Sequence, residues 1–597
     1  MPTTIEVNKQ SVEALLGSGK SKPFVIPEYQ RPYAWTDEQV ETLFEDLWDF
    51  TATSGGTERE SSYFLGSVVS YENEDGEQEI IDGQQRITSL FLLLRAIYTK
   101  LIATPASERT AEANNFIGKI EPTIWRTNKL TGMVDFKNIL LTSRVVNNEG
   151  NEILRSILET GKADEDAKDN YSKNYRHFQE LFDKHSTENP LMVYQFIYAL
   201  LNQAILLPIT ADTQDTALTI FSTLNDRGLP LSDADIFKAK IYNQLAPDDK
   251  KAFIDRWKDL DEQSTDANES IQQLFYYNMF YYRALDKDTK TTTPGVRKYY
   301  AVNKFERLYK PELLDTLFVI LNLWKVVNKG EELEDEAWSK NIKIRQTLDI
   351  LTSYPNEYWK YPVVIYYVCY RNEENFETRF ARFLNKLLME LMTKYLMIPT
   401  INAVKPDILK LNSAIVASDI PTFEFKTVDM TQLEPYIQNP NRNAVRMLLK
   451  TLAYEHQDDL LPAKWEIEHI FPQKWQTNYF PDEPDATIKE KIEHIGNKLP
   501  FEKKLNIVAG NGYFGKKKKE YTASEIVITK AMGTSDVMDW NLESITKRDI
   551  RVSDEVVKIM NRWNNEYLNI SISEGKMGEP SEEELAQIEK FKKNGWI

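Results

Sequence analysis

Residues 465–473 read WEIEHIFPQ, and this short stretch decides how the last third of the chain is interpreted. Its apolar and polar residues alternate up to Glu468 and His469, and Pro472 cannot continue a strand ladder, so a short strand is predicted. Successive side chains of a strand point to opposite faces, which separates the carboxylate from the imidazole. A neutral histidine takes up protons near pH 7, and a carboxylate binds divalent cations. The stretch therefore predicts two parts of a hydrolytic site.

Two downstream segments extend this site, IGNKLP at residues 495–500 and KKLNIVAGNGYFGKK at residues 503–517. Asn497 lies 28 residues after His469, and Asn506 lies 37 residues after it. A strand near Asn497 and a helix or turn at Asn506 would complete a two-strand-and-helix finger around a metal ion. Asn511 is the alternative to Asn506 as a metal ligand. The dipeptide Glu493-His494 repeats the Glu-His pair without the Phe-Pro step, so it is not expected to contribute catalytic groups.

The charge of the chain reverses around these asparagines. The protein carries a net charge of −18, which would repel nucleic acid over a uniformly acidic surface. Residues 498–530 nevertheless hold eight lysines against three glutamates. This local excess predicts the place where a phosphate backbone docks.

A second polar cluster follows a predicted strand near the N-terminus, in IIDGQQRITSL at residues 80–90. Asp82 ends the strand, Gly83 permits a tight turn, and the next residues open an apolar helix whose unpaired N–H groups favour an anion. Arg86 adds a forked donor suited to phosphate, and Asp82 can hold Mg²⁺ or orient water. Similar donors on irregular backbone occur in PEYQRPYAW and FSTLNDRGLPLSDADIFKAK, namely Gln30, Arg31, Asn225 and Arg227. A nucleotide pocket is predicted, and a set of ordinary salt-bridged loops is the alternative.

Bulk composition limits the class of protein. The chain has 597 residues, 42% of them hydrophobic, which predicts several folded domains rather than a disordered chain. A single cysteine excludes an internal disulfide framework and fits the reducing cytoplasm. The most apolar window, residues 191–210, contains amides and a proline, so it is interpreted as a buried helix running into a strand and not as a membrane span. The composition is compatible with a monomer or a homodimer.

The hydrophobic patterns predict a mainly helical α+β fold with several domains. Capping boxes are predicted at Thr36 with Gln39 and at Ser232 with Asp235, and a hairpin turn at Asp75-Gly76. Long aromatic-rich stretches after residue 246 predict packed helices without obvious chemistry. The predicted domains are 1–245 (mixed strands and helices), 246–440 (helical), 441–570 (the finger in a helical domain) and 571–597 (a polar link and a short helix).

The segments PEYQRPYAW, GSVV with IIDGQQR, and FSTLNDRGLPLSDADIFK, in this order, resemble the ParB/sulfiredoxin-like NTPase domain of GmrSD-type modification-dependent restriction enzymes over roughly residues 1–245. The resemblance implies nucleotide binding and hydrolysis, with Asp82 as a catalytic residue. By the same resemblance, the nucleotide site consists of Gln30, Arg31, Asp82, Gly83, Gln84, Gln85, Arg86, Asn225 and Arg227.

The E-H-I-x-P pattern, the GN pair and an asparagine before a lysine-rich stretch resemble the HNH nuclease domain, a ββα-metal finger, that forms the other half of these enzymes. The resemblance implies that His469 is the general base and that Glu468 and Asn506 are metal ligands. It also implies that Asn497 orients the base or its loop and that Lys516 contacts phosphate. Lys498 and Pro500 depart from the family pattern, which has an apolar residue and a strand after the GN pair.

The function implied by both resemblances is a nucleotide-regulated type IV restriction endonuclease. Its expected substrate is modified phage double-stranded DNA, for example DNA with glucosylated hydroxymethylcytosine, and its expected cofactors are Mg²⁺ or another divalent metal and one of ATP, GTP, CTP or UTP. One alternative is a phosphorothioate-sensing anti-phage nuclease of the same build. The other is a nucleotide-dependent DNA-binding protein with an inactive HNH finger.

Overall fold

The structure is a computed structural model that describes residues 6–54, 61–128, 130–145, 148–214, 216–218, 220, 232–400, 402–426, 428–476 and 483–573. The chain divides into two compact units, Met1–Asp259 and Leu260–Ile597. It is 62% helical with a small mixed sheet, which confirms the predicted mainly helical α+β class. The domain boundaries predicted at residues 245, 440 and 570 stay predictions.

A mixed seven-stranded sheet and a hairpin form the strands of the first unit's described residues. These strands are β1 (Glu6–Val7), β2 (Gln10–Ser11), β3 (Phe24–Ile26), β4 (Tyr63–Glu72), β5 (Gln78–Asp82), β6 (Trp125–Thr127), β7 (Val134–Ile139), β8 (Leu141–Ser143) and β9 (Ala204–Ala211). The large sheet has the order β1-β9-β4-β5-β3-β8, with β2 also on β9, while β6 pairs with β7. β4 and β5 are antiparallel and enclose Gly76 at φ +74°, which confirms the predicted turn.

Helices pack against this sheet and against one another, and one of them is almost wholly buried. The helices are α1 (Val12–Ser18), α2 (Asp37–Ser54), α3 (Gln84–Ala103), α4 (Ala111–Ile124), α5 (Asn148–Thr160), α6 (Asn170–Glu188), α7 (Val193–Tyr198), α8 (Asp233–Gln244) and α9 (Pro247–Asp266), the last containing the boundary between the units. The predicted capping box at Ser232 and Asp235 is present, whereas at Thr36 only one half of the box forms, with Gln39 accepting from the Thr36 N–H. The burial of α3 from Ile87 to Tyr98 anchors the polar residues at its start.

The most apolar window of the chain also has its predicted form. Helix α7 continues through a π-helical turn, Ala199–Gln203, directly into β9. Within the described ranges, no helix is long and apolar enough to cross a membrane.

The second unit begins with a helical region held together by aromatic rings. Phe280 stacks on Tyr361 with ring centroids 3.7 Å apart, and Tyr366 stacks on Phe383 at 4.2 Å. The predicted packed helices are therefore confirmed. They are α10 (Ile271–Leu285), α11 (Val296–Tyr300), α12 (Leu313–Lys329), α13 (Ile342–Leu351), α14 (Lys360–Tyr370), α15 (Phe376–Met397), α16 (Lys405–Ala417), α17 (Glu434–Gln438) and α18 (Val445–His456).

The predicted finger follows as two strands and a helix. The elements are β10 (Trp465–His469), α19 (Asp485–Ile492), β11 (Lys498–Glu502), α20 (Lys503–Ala509), α21 (Phe514–Thr522), α22 (Val527–Thr534) and α23 (Leu542–Ser573). β10 and β11 are antiparallel, with His469 opposite Lys498 and Glu468 opposite Leu499. Helix α20 starts at the residue after β11 and packs against both strands. Pro500 is tolerated in β11 because a strand in a two-stranded sheet has one free edge.

Helix α23 clamps the turn that leads into β11. The Arg548 guanidinium donates from Nη1 to three backbone carbonyls, those of Ile495 (3.1 Å), Gly496 (2.8 Å) and Lys498 (2.8 Å). The Asp549 carboxylate accepts from the Gly496 N–H at 2.7 Å. Burial lowers the pKa of Arg548 to about 10, so the guanidinium remains charged at pH 7. The clamp therefore fixes the start of β11 through a buried cation.

A glycine is required where the helix approaches this turn. A β-carbon on Gly496 would lie 2.3 Å from the Ile545 carbonyl oxygen and 2.6 Å from the Asp549 carboxylate. Gly496→Ala is expected to lower the stability of the second unit by about 1–3 kcal/mol through overpacking. Gly515, where an added β-carbon meets no atom within 4 Å, provides the matched control. Calorimetric unfolding of both full-length variants measures this, and equal melting temperatures would contradict the steric argument.

Candidate functional site

His469 ends β10 in a largely enclosed but accessible position. Its side chain is 16% exposed, and its Nε2 lies 3.5 Å from Oε1 of Glu493 and 3.4 Å from the Gln473 amide. Burial lowers the pKa of His469 below its usual range, while Glu493 acts to raise that pKa and Lys498 to lower it. The imidazole is therefore neutral near pH 7 and can accept a proton.

Glu493 is a contact of His469 that the sequence analysis missed. Burial acts to raise the pKa of Glu493, but Lys498, 2.9 Å away, and His469 outweigh burial and lower it. The carboxylate thus stays charged beside the imidazole and would stabilise a protonated His469. The sequence contained one sign of this contact, the second Glu-His dipeptide at residues 493–494. Its position beside His469 becomes evident only from the pairing of His469 with Lys498, which binds Glu493.

Glu468 points into the core of the finger on the other face of β10. Its Oε1 lies 2.7 Å from Nζ of Lys517 and accepts from the Tyr521 hydroxyl at 2.6 Å. All three side chains are buried. Burial lowers the pKa of Lys517 and Glu468 acts to raise it, whereas burial, reinforced by Glu468, raises the pKa of Tyr521. A cation bound by Glu468 would have to share this carboxylate with Lys517 or displace the ammonium.

The three asparagines of the region differ in what their amides contact. Asn497 is fully buried, accepts from the Phe471 N–H at 2.6 Å and donates to the Phe471 carbonyl at 3.1 Å, so it holds the loop after His469. Asn511 donates to the Lys474 carbonyl at 2.7 Å and so holds the same loop further on. Asn506 is half-buried on α20, and its amide bonds to no other described residue. Of the two asparagines considered as metal ligands, Asn506 and Asn511, Asn506 is therefore the one whose side-chain amide is not hydrogen-bonded within the described structure.

A cation at this site would have few protein ligands. Across the described ranges, no group of three or more His, Cys, Asp or Glu is placed to hold a metal ion. Mg²⁺ is often bound through one or two carboxylates, with waters and substrate phosphates as its other ligands. The Glu468 carboxylate could serve such a cation only after Lys517 leaves it. Lys516, the predicted phosphate contact, is exposed at the start of α21.

The first unit contains the second predicted cluster, at the junction of β5 and α3. Gly83 adopts φ +87° there, a conformation that favours glycine. The guanidinium of Arg86 donates to the Ser67 carbonyl at 3.0 Å. Burial raises the pKa of Asp82, against the lowering effects of the Gly83 N–H, Arg86 and Arg31. The Asp82 carboxylate therefore interacts electrostatically with the guanidinium groups of Arg86 and Arg31 at the start of helix α3.

Amide side chains tie the loop at residues 30–34 to this junction. Gln30 donates to the Ile81 carbonyl at 3.0 Å, and Gln85 accepts from the Ala34 N–H at 2.7 Å. Three buried polar atoms have no hydrogen-bond partner among the described residues, Oε1 of Gln30, Oε1 of Gln84 and Oγ1 of Thr88. Each such atom costs about 1–3 kcal/mol if it stays unpaired, so a hydrogen-bond partner such as water is expected at each. Asn225 and Arg227 lie outside the described residues.

Comparison with protein families agrees with this two-part arrangement. Residues 12–242 match the family model for the N-terminal domain of GmrSD restriction endonucleases, and residues 429–552 match the model for their C-terminal domain. A search of curated proteins found no match.

Both matches define a DNA endonuclease, and together they cover more than half of the chain. The chain belongs to the GmrSD family of type IV restriction endonucleases, with both domains in one polypeptide.

The charges around His469 give a direct test of its environment. The pKa of His469 is expected to lie below that of an exposed histidine. Glu493→Gln removes a charge that raises this pKa and should lower it further, whereas Lys498→Met removes a charge that lowers it and should raise it. With five histidines in the chain, NMR titration of histidine-labelled protein can follow each one. Shifts of the same sign in both variants would contradict the geometry.

Proposed function

We propose that the second unit hydrolyses DNA phosphodiester bonds by an HNH mechanism with His469 as the general base. The observation that carries this proposal is a neutral, accessible imidazole at the end of the first strand of a β-β-helix finger. A base poised near neutral pH can remove a proton from the water that attacks phosphorus. The lysine-rich segment that follows supplies a positive surface for the phosphate backbone.

The other residues of the finger have supporting roles in this proposal. Glu493 stabilises the imidazolium that forms when His469 takes the proton, and Asn497 fixes the loop that carries Phe471 and Pro472. Glu468 and Asn506 would be the oxygen ligands for Mg²⁺ or another divalent ion, and that ion would neutralise charge on the leaving oxygen. Lys516 contacts a neighbouring phosphate.

The first unit, in the same proposal, binds and hydrolyses a nucleoside triphosphate at the β5–α3 junction. The unpaired helix-start N–H groups after Gly83 and the guanidinium of Arg86 suit phosphate groups. Asp82 would hold the accompanying cation or orient water. The unpartnered atoms of Gln30, Gln84 and Thr88 support the presence of a ligand there. ATP, GTP, CTP and UTP are all candidates, and the nucleotide would regulate cleavage.

Modified phage double-stranded DNA in the cytoplasm is the proposed substrate, such as DNA with glucosylated hydroxymethylcytosine. Phosphorothioate DNA is the alternative, and a panel of both DNAs beside plain DNA separates them. A DNA-binding protein with an inactive finger is the second candidate, and one observation favours it. The Lys517 ammonium already neutralises Glu468, so the carboxylate is available to a metal only if that ion pair opens.

Cleavage assays with paired histidine variants test the nuclease proposal. His469→Ala should lower the cleavage rate at least about a hundredfold, because general-base catalysis contributes about 10²–10⁴-fold. His456→Ala is the control, since His456 ends helix α18 and pairs with Glu555 at 2.6 Å. The assay uses modified DNA with Mg²⁺ and each nucleotide. Undiminished cleavage by His469→Ala contradicts the mechanism, and a wild-type protein that binds but never cuts DNA supports the inactive-finger candidate.

Nucleotide binding is tested separately from cleavage. Arg86→Ala should weaken binding of a fluorescent nucleotide by about tenfold or more, since a charge-assisted hydrogen bond contributes about 1.5–3 kcal/mol. Arg155→Ala is the matched control, because Arg155 is an exposed helix arginine paired with Glu159. Equal nucleotide affinities of the two variants would contradict a nucleotide site at the β5–α3 junction.

A further inference from the structure

Helix α20 exposes two large apolar side chains beside the proposed nuclease site. Ile507 is 71% exposed and Val508 is 59% exposed. The helix is anchored through Ala509, which is buried in the core of the finger, and through Leu505, which packs against the same core. Ile507 and Val508 point away from that core, so they do not contribute to holding the finger together.

Local structure does not explain these two residues. Both are β-branched, and β-branched residues are less favourable in helices than the unbranched ones that usually occupy an exposed helix face. Single exposed apolar residues are common, but two adjacent ones next to Asn506 form a defined apolar tip on the finger. The tip is therefore a candidate contact surface.

The surroundings of the tip are basic. Lys503 and Lys504 each lie one helical turn before Ile507 and Val508, on the same faces of α20, and both lysines are exposed. Exposed Lys516 and Lys519 follow on helix α21.

Two acidic groups of the finger, Glu502 and Glu493, are occupied by other partners. Glu502 accepts from the Ser524 hydroxyl at 2.8 Å and from the Glu525 N–H at 2.7 Å. Glu493 pairs with Lys498. Within the described part of the chain these four lysines form no ion pair, so unpaired cations flank the apolar tip in a protein whose net charge is −18.

We propose that Ile507 and Val508 form an apolar wedge that enters between base pairs of the bound duplex and unstacks them. The partner must offer anions around an apolar interior, and a DNA duplex has this arrangement of phosphates outside stacked bases. A protein partner fits less well, because lysine is depleted at protein interfaces. Apolar side chains that part a base step are a known means by which proteins kink DNA. The inference rests on the proposed function for the identity of DNA as the ligand.

The wedge would select DNA by its deformability. Parting a base step costs a few kcal/mol, and pyrimidine–purine steps and distorted pairs cost least. Because Ile507 directly follows Asn506, the unstacked step would lie next to the cation site. The enzyme would then cut most readily where the duplex bends easily at that position.

Permanganate oxidation of unstacked thymines tests the wedge on bound DNA without cleavage. The full-length His469→Ala protein is bound to glucosylated phage DNA and to plain plasmid DNA, and thymine reactivity is compared with free DNA. Reactivity is expected to rise, and adding Ile507→Ala with Val508→Ala should abolish most of that rise. Ile550→Ala with Val527→Ala is the matched control, since these side chains are 52% and 44% exposed elsewhere in the same unit.

Cleavage by proteins that retain His469 gives a second readout. The double variant at the tip should cut an intact duplex about tenfold more slowly, and a duplex with a preformed bulge at nearly the wild-type rate. Equal slowing of cleavage on the intact and the bulged duplex would overturn the wedge. Lys503→Gln with Lys504→Gln should lower the salt dependence of DNA binding without changing which thymines react.

The outcomes separate this inference from the proposed function. Equal permanganate reactivity and equal cleavage by the tip variant and the wild type would overturn the wedge while leaving the nuclease intact. A wild-type protein that unstacks thymines but cuts no DNA would overturn the proposed nuclease mechanism and support the wedge.

Discussion

The contact of one buried guanidinium with three backbone carbonyls holds the second unit's proposed site together. Arg548 gathers the carbonyls of the turn before β11, and Asp549 binds the N–H in the middle of that turn. Because β11 pairs with β10 residue by residue, the clamp also determines what lies opposite His469. Lys498 and, through it, Glu493 reach the imidazole only when the strand starts at this place. The proposed chemistry thus depends on a helix that contributes no catalytic group of its own.

In the proposed mechanism two cations compete for the Glu468 carboxylate, the Lys517 ammonium and a divalent metal ion. Lys517 satisfies Glu468 inside the protein, and a buried carboxylate without a partner would be strongly unfavourable. The buried carboxylate therefore has a charged partner within the protein. The same ion pair competes with any divalent ion for the carboxylate, so it would limit metal affinity until a phosphate adds its own charge. The active and inactive forms of the finger differ, in this view, by which cation Glu468 contacts.

Local signals in the sequence predicted the elements but not the long-range contacts of the site. The strand ending at His469, the hairpin at Gly76 and the capping box at Ser232 each depend on neighbouring residues, and the structure contains all of them. The contacts of Arg548 and Lys517 span about fifty residues of sequence, and no pattern in one chain indicates such pairings. The sequence shows that Glu493 precedes a histidine, but its closeness to His469 becomes clear only from the register that places Lys498 opposite His469.

A crystal structure of the full chain with duplex DNA and Ca²⁺, which can occupy an oxygen-lined site without supporting rapid cleavage, would test the central claim most directly. The account predicts a backbone phosphate within one water of the His469 imidazole, with the cation on Glu468 and Asn506 and Lys517 moved off the carboxylate. DNA bound at another surface, with Lys517 still paired to Glu468 and no phosphate near His469, would contradict it.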